Sequence, residues 1–439
     1  MPVRQGHLPQ AAPARPRGEV RREGPVLTRG PEQHTQRTPS YPSRIIYLDN
    51  NATTRPSEAV VRAVETALRE YWHNPSSVHR AGQAARQQVE LARQSAADLI
   101  GAKAREITFT SGGTEAIDLA VRGVLHALPE SRRVLVTTKA EHAAVRDIGE
   151  ELEKTGHTRW LRLSSHGLID LADLAAKLTP DVGLVSVQWC NNETGVVQPV
   201  ANIARLCRER GVLFHCDGTQ WVGKEPVTEL PCDLLTFSPH KFHGPKGVGV
   251  LWVRSGVRLR PRVLGTQELG RRGGTENVAG IIGAGVACAE AAEWFKNAGE
   301  RERLQGLRDR FESLVVRAVP DAVVNGTPTG RHSDEDVAMA RGAAAVPRIW
   351  NTTNIGFPRL EAEALLMLLS ERGLCASAGA ACSSGSLDPS PVLLAMGVPE
   401  EVAHGSVRFS LSRETTPAEI EQGAAIVIEC VDRLRRSMT

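Results

Sequence analysis

"LLTFSPHKFHGPKGVGVLWV", residues 234–253, reads as a strand, a turn and a second strand. The first apolar run ends at Ser238, and His240 and Lys241 follow at once, before a Gly/Pro turn. Lysines at the mouths of buried strands are unusual unless they are paired or reacting. A lysine there, partly desolvated, has its pKa lowered enough to act as a Schiff-base nucleophile. Lys246 is the rival in the same loop, but "GPKG" puts it on a turn tip, where solvation is the default.

The same rhythm extends on both sides. "IIYLDN" is a short strand, and "SEAVVRAVETALREYW" carries Val60, Val61, Val64, Leu68 and Tyr71 at helical spacing. A second helix runs through "QAARQQVELARQSAADLIG" and stops at Gly101. "EITFT", "RVLVTT", "VGLVSVQ", "VLFHCD" and "DLLTFS" are then separated by helices that start at Thr114, after His142 and in "ANIARLCRERG". Continuous apolar strands alternating with helices predict an α/β fold, its mostly parallel sheet covered on both faces. After about residue 300 come long charged helices, a loop-like stretch at 326–348, and a last helix opened by a capping box, Thr416 with Glu419 and Pro417 between them. The expected division is a tail over 1–44, a large α/β domain over 45–300 and a smaller α+β domain over 301–439.

In such folds ligands bind where strands end and helices begin. "TFTSGGTEAIDLAV" is a strand, a Gly turn and a helix, whose free N–H groups, with Ser111 and Thr114, make a phosphate cradle. It matches neither the P-loop nor the dinucleotide pattern. "VLFHCDGTQ" delivers Asp217 to the ligand edge, where a carboxylate keeps a pyridinium nitrogen protonated. A phosphate cradle, an acid for a ring nitrogen and a Schiff-base lysine together are the inventory for pyridoxal phosphate. Taken singly, each has an ordinary structural reading: a Gly-rich helix cap, a strand-end turn, a loop lysine.

Composition excludes several classes. With 41% hydrophobic residues and 4% aromatics, the 439-residue chain suits packed α/β layers. No apolar run approaches the ~18 residues needed to span a bilayer, so the chain reads as soluble, with no membrane partner. Residues 1–43 hold seven Arg and three Glu, and the remainder carries 46 basic against 47 acidic groups, which leaves no nucleic-acid surface. The Pro- and Arg-rich opening is expected to be disordered; with three Glu and only two Ser it is not read as a transit peptide, but as a dispensable tail or a start placed too far upstream. Eight cysteines without a CxxC pair argue against a disulfide framework or metal site and for a reducing, cytoplasmic setting.

The motifs "YLDNNATT", "SGGTEA", "EHAAV", "NNETG", "HKFHGPKGVG", "GRRGGTEN", "ACSSGSLDPS" and "SVRFSL" carry a resemblance that covers all but the tail. The sequence closely resembles the cysteine desulfurases of the NifS/IscS type, in the class V aminotransferase group of fold-type I pyridoxal-phosphate enzymes. The resemblance implies that Lys241 takes pyridoxal 5'-phosphate as a Schiff base and that Gly113, Thr114, Ser238 and His240 hold its phosphate. It implies that His142 stacks on the ring, Asp217 pairs with the ring nitrogen, and Asn192 and Gln220 sit near the ring hydroxyl. Thr275 reaches the phosphate of the other subunit, so the active unit is expected to be a homodimer. Arg408 grips the carboxylate of the substrate, L-cysteine, with Asn192 nearby, and Cys382 accepts the sulfur. Without the match, His142 reads as a helix-start histidine, Asn192 as a turn residue and Arg408 as an edge-strand arginine.

Cys382 lies within "CASAGAACSSGSLDPS", a run of small side chains that cannot hold itself still. A mobile thiol there takes sulfur in the pocket and carries it to a sulfur-acceptor or iron–sulfur scaffold protein. Cys375 reads as a small residue ending the preceding strand. Departures from the family are Gly218 for Ala, expected to be neutral, Pro239 for Gly or Ala, an insertion at 333–346, and a short C-terminus that leaves the acceptor open. The rival activities are those of a selenocysteine lyase or a class V aminotransferase, and behind them a non-catalytic sulfur-binding scaffold.

Overall fold

The computed structural model describes residues 45–327, 346–379 and 388–438. The N-terminal tail over 1–44, Cys382 and nearly all of the 333–346 insertion therefore lie outside the described residues.

Among the described residues, twelve strands form three sheets. In chain order they are β1 (Ile46–Tyr47), β2 (Ile107–Thr110), β3 (Val134–Thr137), β4 (Thr158–Trp160), β5 (Val182–Gln188), β6 (Leu213–Asp217), β7 (Leu234–Phe237), β8 (Gly249–Val253), β9 (Val323–Val324), β10 (Thr352–Gly356), β11 (Leu374–Cys375) and β12 (Ser406–Ser410). The large sheet has the order β2-β8-β7-β6-β5-β3-β4. Its pairs are parallel from β7 through β4, and β8 runs antiparallel to both β7 and β2. Every strand of that sheet except β8 therefore ends on the same edge.

Period-two alternation puts apolar side chains on both faces. Leu135, Leu184, Leu234, Leu251 and Val253 pack against the helix Gly113–Ala127 (α1). Val134, Val136, Val185, Leu235, Val250 and Trp252 face the other way, into a core shared with the helices Arg80–Leu99 (α2) and Val278–Trp294 (α3). Burial on both faces is why these strands read as unbroken apolar runs. Strand β4, three half-buried residues at the sheet's edge, lacks that signal and has no counterpart in the sequence reading.

The C-terminal half builds a three-stranded antiparallel sheet, β12-β10-β9, over a second core. The helix Pro417–Met438 (α4) closes it, and its predicted capping box is present: Glu419 N–H donates to Thr416 Oγ1 and Thr416 N–H to Glu419 Oε2. Ile46 and Leu48 belong to this second core, and β1 pairs with β11. The first strand of the chain thus packs with the last third, a long-range pairing that a division at residue 300 does not anticipate.

Candidate active site

The parallel strands deliver their C-terminal ends to one cavity of about 260 Å³. Ten of the residues singled out in the sequence line it: Gly113, Thr114, His142, Asn192, Asp217, Gln220, Ser238, His240, Lys241 and Arg408. Thr275 does not. It lines a separate cleft with Ser111, Gly247 and Arg272.

Lys241 closes a single 3₁₀ turn, Pro239–Lys241, that starts directly after β7, with Pro239 at its first position. The turn swings the lysine back over the sheet edge, where its Nζ donates to the carbonyls of Asn51 (2.7 Å) and Ala52 (2.9 Å). Asp217 is the last residue of β6 and is only 5% exposed; its Oδ1 accepts the N–H of Thr219 (3.0 Å) and, at 3.5 Å, the hydroxyl of Thr236. Behind it a buried chain continues from Thr236 through His215 Nε2 (3.1 Å) to Ser186 on His215 Nδ1 (2.8 Å). Full burial pulls His215 down to about 4, so its ring is neutral at neutral pH.

His142 serves two purposes. It is the N-cap of the helix Ala143–Glu153 (α5), its Nδ1 accepting the N–H of Ala144 at 3.1 Å, and it also lines the cavity. Its pKa is lowered by burial, with Asp217 raising it and Lys241 lowering it further. His240 is pushed down to about 3 by burial and by Lys241, Lys246 and Lys224, and its Nδ1 meets Thr53 Oγ1 at 3.1 Å. Helix α1 begins at Gly113 with Gly112 as its N-cap, and no side chain caps its first N–H groups. Ser238 Oγ donates to the carbonyl of Val248 (3.0 Å).

The opposite wall comes from distant segments. Arg408, in β12, is 2% exposed; its Nη2 donates to Asp49 Oδ1 (2.7 Å), and its Nη1 to the carbonyls of Gly379 (2.9 Å) and Asn192 (3.1 Å). Glu193 is buried, accepts the hydroxyl of Ser390 (2.5 Å), and packs its carboxylate against Gly379, where no side chain would fit. Gly379 and Ser390 flank the segment that carries Cys382, so both flanks are fastened to cavity residues. Burial raises Glu193 and raises Glu141 well above the carboxylate range.

Four polar atoms of the cavity wall are buried without a protein partner among the described residues: Glu141 Oε2, Asn192 Oδ1, Thr219 Oγ1 and Arg408 Nε. Such orphans mark a wall completed by a polar ligand. With an uncapped helix start, a lysine amine and a strand-end carboxylate, the set fits a phosphorylated ring and a carboxylate-bearing substrate. The sequence reading gave no role to Asp49, Asn51, Glu141, Glu193 and Lys224. The first four lie inside "YLDNNATT", "EHAAV" and "NNETG", and a carboxylate or amide beside an apolar run was their only local signal. Cys375 ends β11, as expected. At Gly218 a Cβ would stand 2.8 Å from Leu235 Cδ1, the far end of a side chain.

Comparison with known proteins agrees with this geometry. The class-V aminotransferase family matches residues 46–319. A cysteine desulfurase of Nostoc sp. is 46% identical over 395 residues, 89% of this chain and 94% of its own length. Among solved structures, a NifS-like protein superposes with a TM-score of 0.78 at 32% identity, covering 89% of this chain and 100% of its own. SspA in complex with cysteine superposes with a TM-score of 0.67 at 29% identity, covering 84% and 99%.

Proposed function

The chain belongs to the cysteine desulfurases of the class-V aminotransferase family, and we propose that it frees the sulfur of L-cysteine at this cavity, with the roles distributed as follows. Lys241 would anchor pyridoxal 5'-phosphate and Asp217 would keep its ring nitrogen protonated, while His142, Asn192 and Gln220 would hold the ring in the cavity they line. The N–H groups of Gly113 and Thr114, with Ser238 and His240, would hold the phosphate. Bound there, the cofactor supplies an electron-withdrawing ring that weakens the bonds at the substrate's α-carbon.

Arg408 receives the cysteine carboxylate. Its guanidinium is held in place by Asp49 and two carbonyls, and its Nε is unpartnered. That buried, half-satisfied fork is the single observation that carries the choice of an amino-acid substrate. The SspA neighbour bound to cysteine supports the same reading. The Lys241 amine, at the cavity wall, would be placed to move a proton at the substrate's α-carbon. The Cys382 thiolate then attacks the substrate sulfur: an S–S bond forms, the C–S bond breaks with its electron pair left on the three-carbon fragment, and that fragment takes a proton and leaves as alanine. The persulfide passes to an acceptor protein.

In this reading the smaller domain takes β1 as well as residues from about 301 onward. Thr275, which lines a separate cleft and not this cavity, acts across a homodimer. The described cysteines are all free thiols, which supports a reducing cytoplasmic setting.

Alanine formation from L-cysteine tests the assignment. Lys241→Ala is expected to lose the visible absorbance of the bound cofactor and to lower alanine formation by on the order of 10³-fold or more. Cys382→Ala is expected to keep the absorbance and lose the alanine. A Cys382→Ala protein that still turns cysteine over at the full rate removes that thiol from the reaction.

A further inference from the structure

Lys224 is a second lysine buried beside the cavity, and the roles above leave it unused. It follows the turn after β6, is 4% exposed, and carries its amine under the floor of the site. Its Nζ donates to Asn51 Oδ1 (2.7 Å) and to Gln220 Oε1 (2.6 Å). Both acceptors are amide oxygens rather than carboxylates. The charged and titratable groups that face Lys224 are Lys241, Arg408, His240 and the thiol of Cys190. Burial, with Lys241 and Arg408 adding to it and Cys190 opposing it, brings Lys224 down to about 7. A neutral amine still offers two N–H groups, one for each amide oxygen, so the two bonds survive loss of the charge.

The two amides are not ordinary structural partners, because each points on into the site. The backbone carbonyl of Asn51 accepts Lys241 Nζ (2.7 Å) and Gln220 Nε2 (3.1 Å). Asn51 Nδ2 donates to the Asn192 carbonyl (3.1 Å) and to Thr352 Oγ1 (2.9 Å), and Asn351 Nδ2 donates to Asn51 Oδ1 (3.0 Å). Lys224 is thus one hydrogen-bonded link behind the reactive amine, and it ties the first motif of the chain to the turn after β6. A buried amine is a costly way to fill space, and a hydroxyl or amide would satisfy one acceptor at far lower desolvation cost.

We propose that Lys224 is a positioning residue for Lys241: by bonding Asn51 and Gln220 together it fixes the carbonyl that holds the Lys241 amine and sets the orientation of the Gln220 amide. Two of the three bonds that hold Arg408, to Asp49 and the Gly379 carbonyl, do not involve this network. Only the third, to the Asn192 carbonyl shared with Asn51 Nδ2, lies on a path to Lys224, so the grip on the substrate carboxylate depends on Lys224 far less than the Lys241 amine does.

The inference rests on Lys241 being the cofactor lysine, and Lys241→Ala separates the two: a Lys241→Ala protein that still binds pyridoxal 5'-phosphate covalently breaks that assignment, whatever Lys224 does. The test of Lys224 is the rate at which the full chain, stripped of cofactor, takes up added pyridoxal 5'-phosphate, followed by visible absorbance. Lys224→Met is expected to load about tenfold more slowly and to turn over about ten- to a hundredfold more slowly, with KM for cysteine within about twofold. Lys224→Gln, which keeps an N–H donor, is expected to recover part of the loading rate. A folded Lys224→Met protein that loads at the wild-type rate overturns the proposal, whatever its kcat. If Lys224→Met does not fold, Lys224→Gln carries the same test: slowed loading supports the role and an unchanged rate overturns it.

Discussion

The two walls of the cavity are built by different means. The wall carrying Asp217, His142 and Lys241 is the edge of one sheet: Asp217 ends its strand, and His142 and Lys241 follow theirs within five positions. The wall carrying Arg408 is assembled from chain segments far apart: Asp49 lies 359 residues from Arg408, and Asn192 lies 216 residues from it. The first wall inherits its geometry from strand pairing and apolar burial. The second exists only once the N-terminal strand has joined the C-terminal core. A change in the first is therefore expected to act on chemistry or on local electrostatics, and a change in the second on the joining of distant segments.

The largest effect to separate them is a pH effect on the sheet wall. Burial holds His215 at about 4, below its ordinary 6.5, so between those values the folded protein binds fewer protons than the unfolded chain. The stability this gives is fully present above pH 6.5 and is lost as the pH falls toward 4, on the order of 3 kcal/mol in all. Urea unfolding at pH 4.5 and 7.5 is expected to show this loss in the wild type and a markedly smaller one in His215→Gln. Equal losses in both proteins would mean that the buried chain behind Asp217 opens in acid before His215 titrates.

The next effect lies on the other wall. Arg408→Lys replaces a fork that bonds Asp49 and two carbonyls by a single point charge, and kcat/KM for cysteine is expected to fall about ten- to a hundredfold. Steady-state kinetics that show less than a threefold change would break the assignment of Arg408 to the carboxylate. The smallest effect tests the fastening of distant segments. Gly379 has a φ of +48° and abuts the Glu193 carboxylate, so Gly379→Ala is expected to cost about 1–2 kcal/mol in denaturant unfolding. A neutral result would show that the flank yields freely.

The same contrast explains what was legible in the sequence. Strands buried on both faces announce themselves as apolar runs, and the polar residue that ends each run falls at the ligand edge. Lys241 and Asp217 could be found that way, whereas His142 came only with the resemblance, since alone it reads as a helix-start histidine. Strand β4 could not, because three half-buried edge residues carry no period. Asn51, Asp49 and Glu193 are polar residues in short motifs, and nothing local shows which distant group each will meet. Their partners lie 141 to 359 residues away, a distance over which periodicity carries no information. Lys224 was hidden for another reason: in "VGKEP" it reads as a surface turn lysine, and only packing shows it to be buried.

The central claim is that Cys382, carried between two flanks fastened to this cavity, takes the sulfur of L-cysteine. Peptide mass spectrometry without reductant, on protein mixed with L-cysteine, tests it most directly. The Cys382 peptide is expected to gain one sulfur, removable by added thiol, while the Cys375 peptide stays bare. A cofactor-loaded protein whose Cys382 peptide remains unmodified while alanine accumulates would contradict the account.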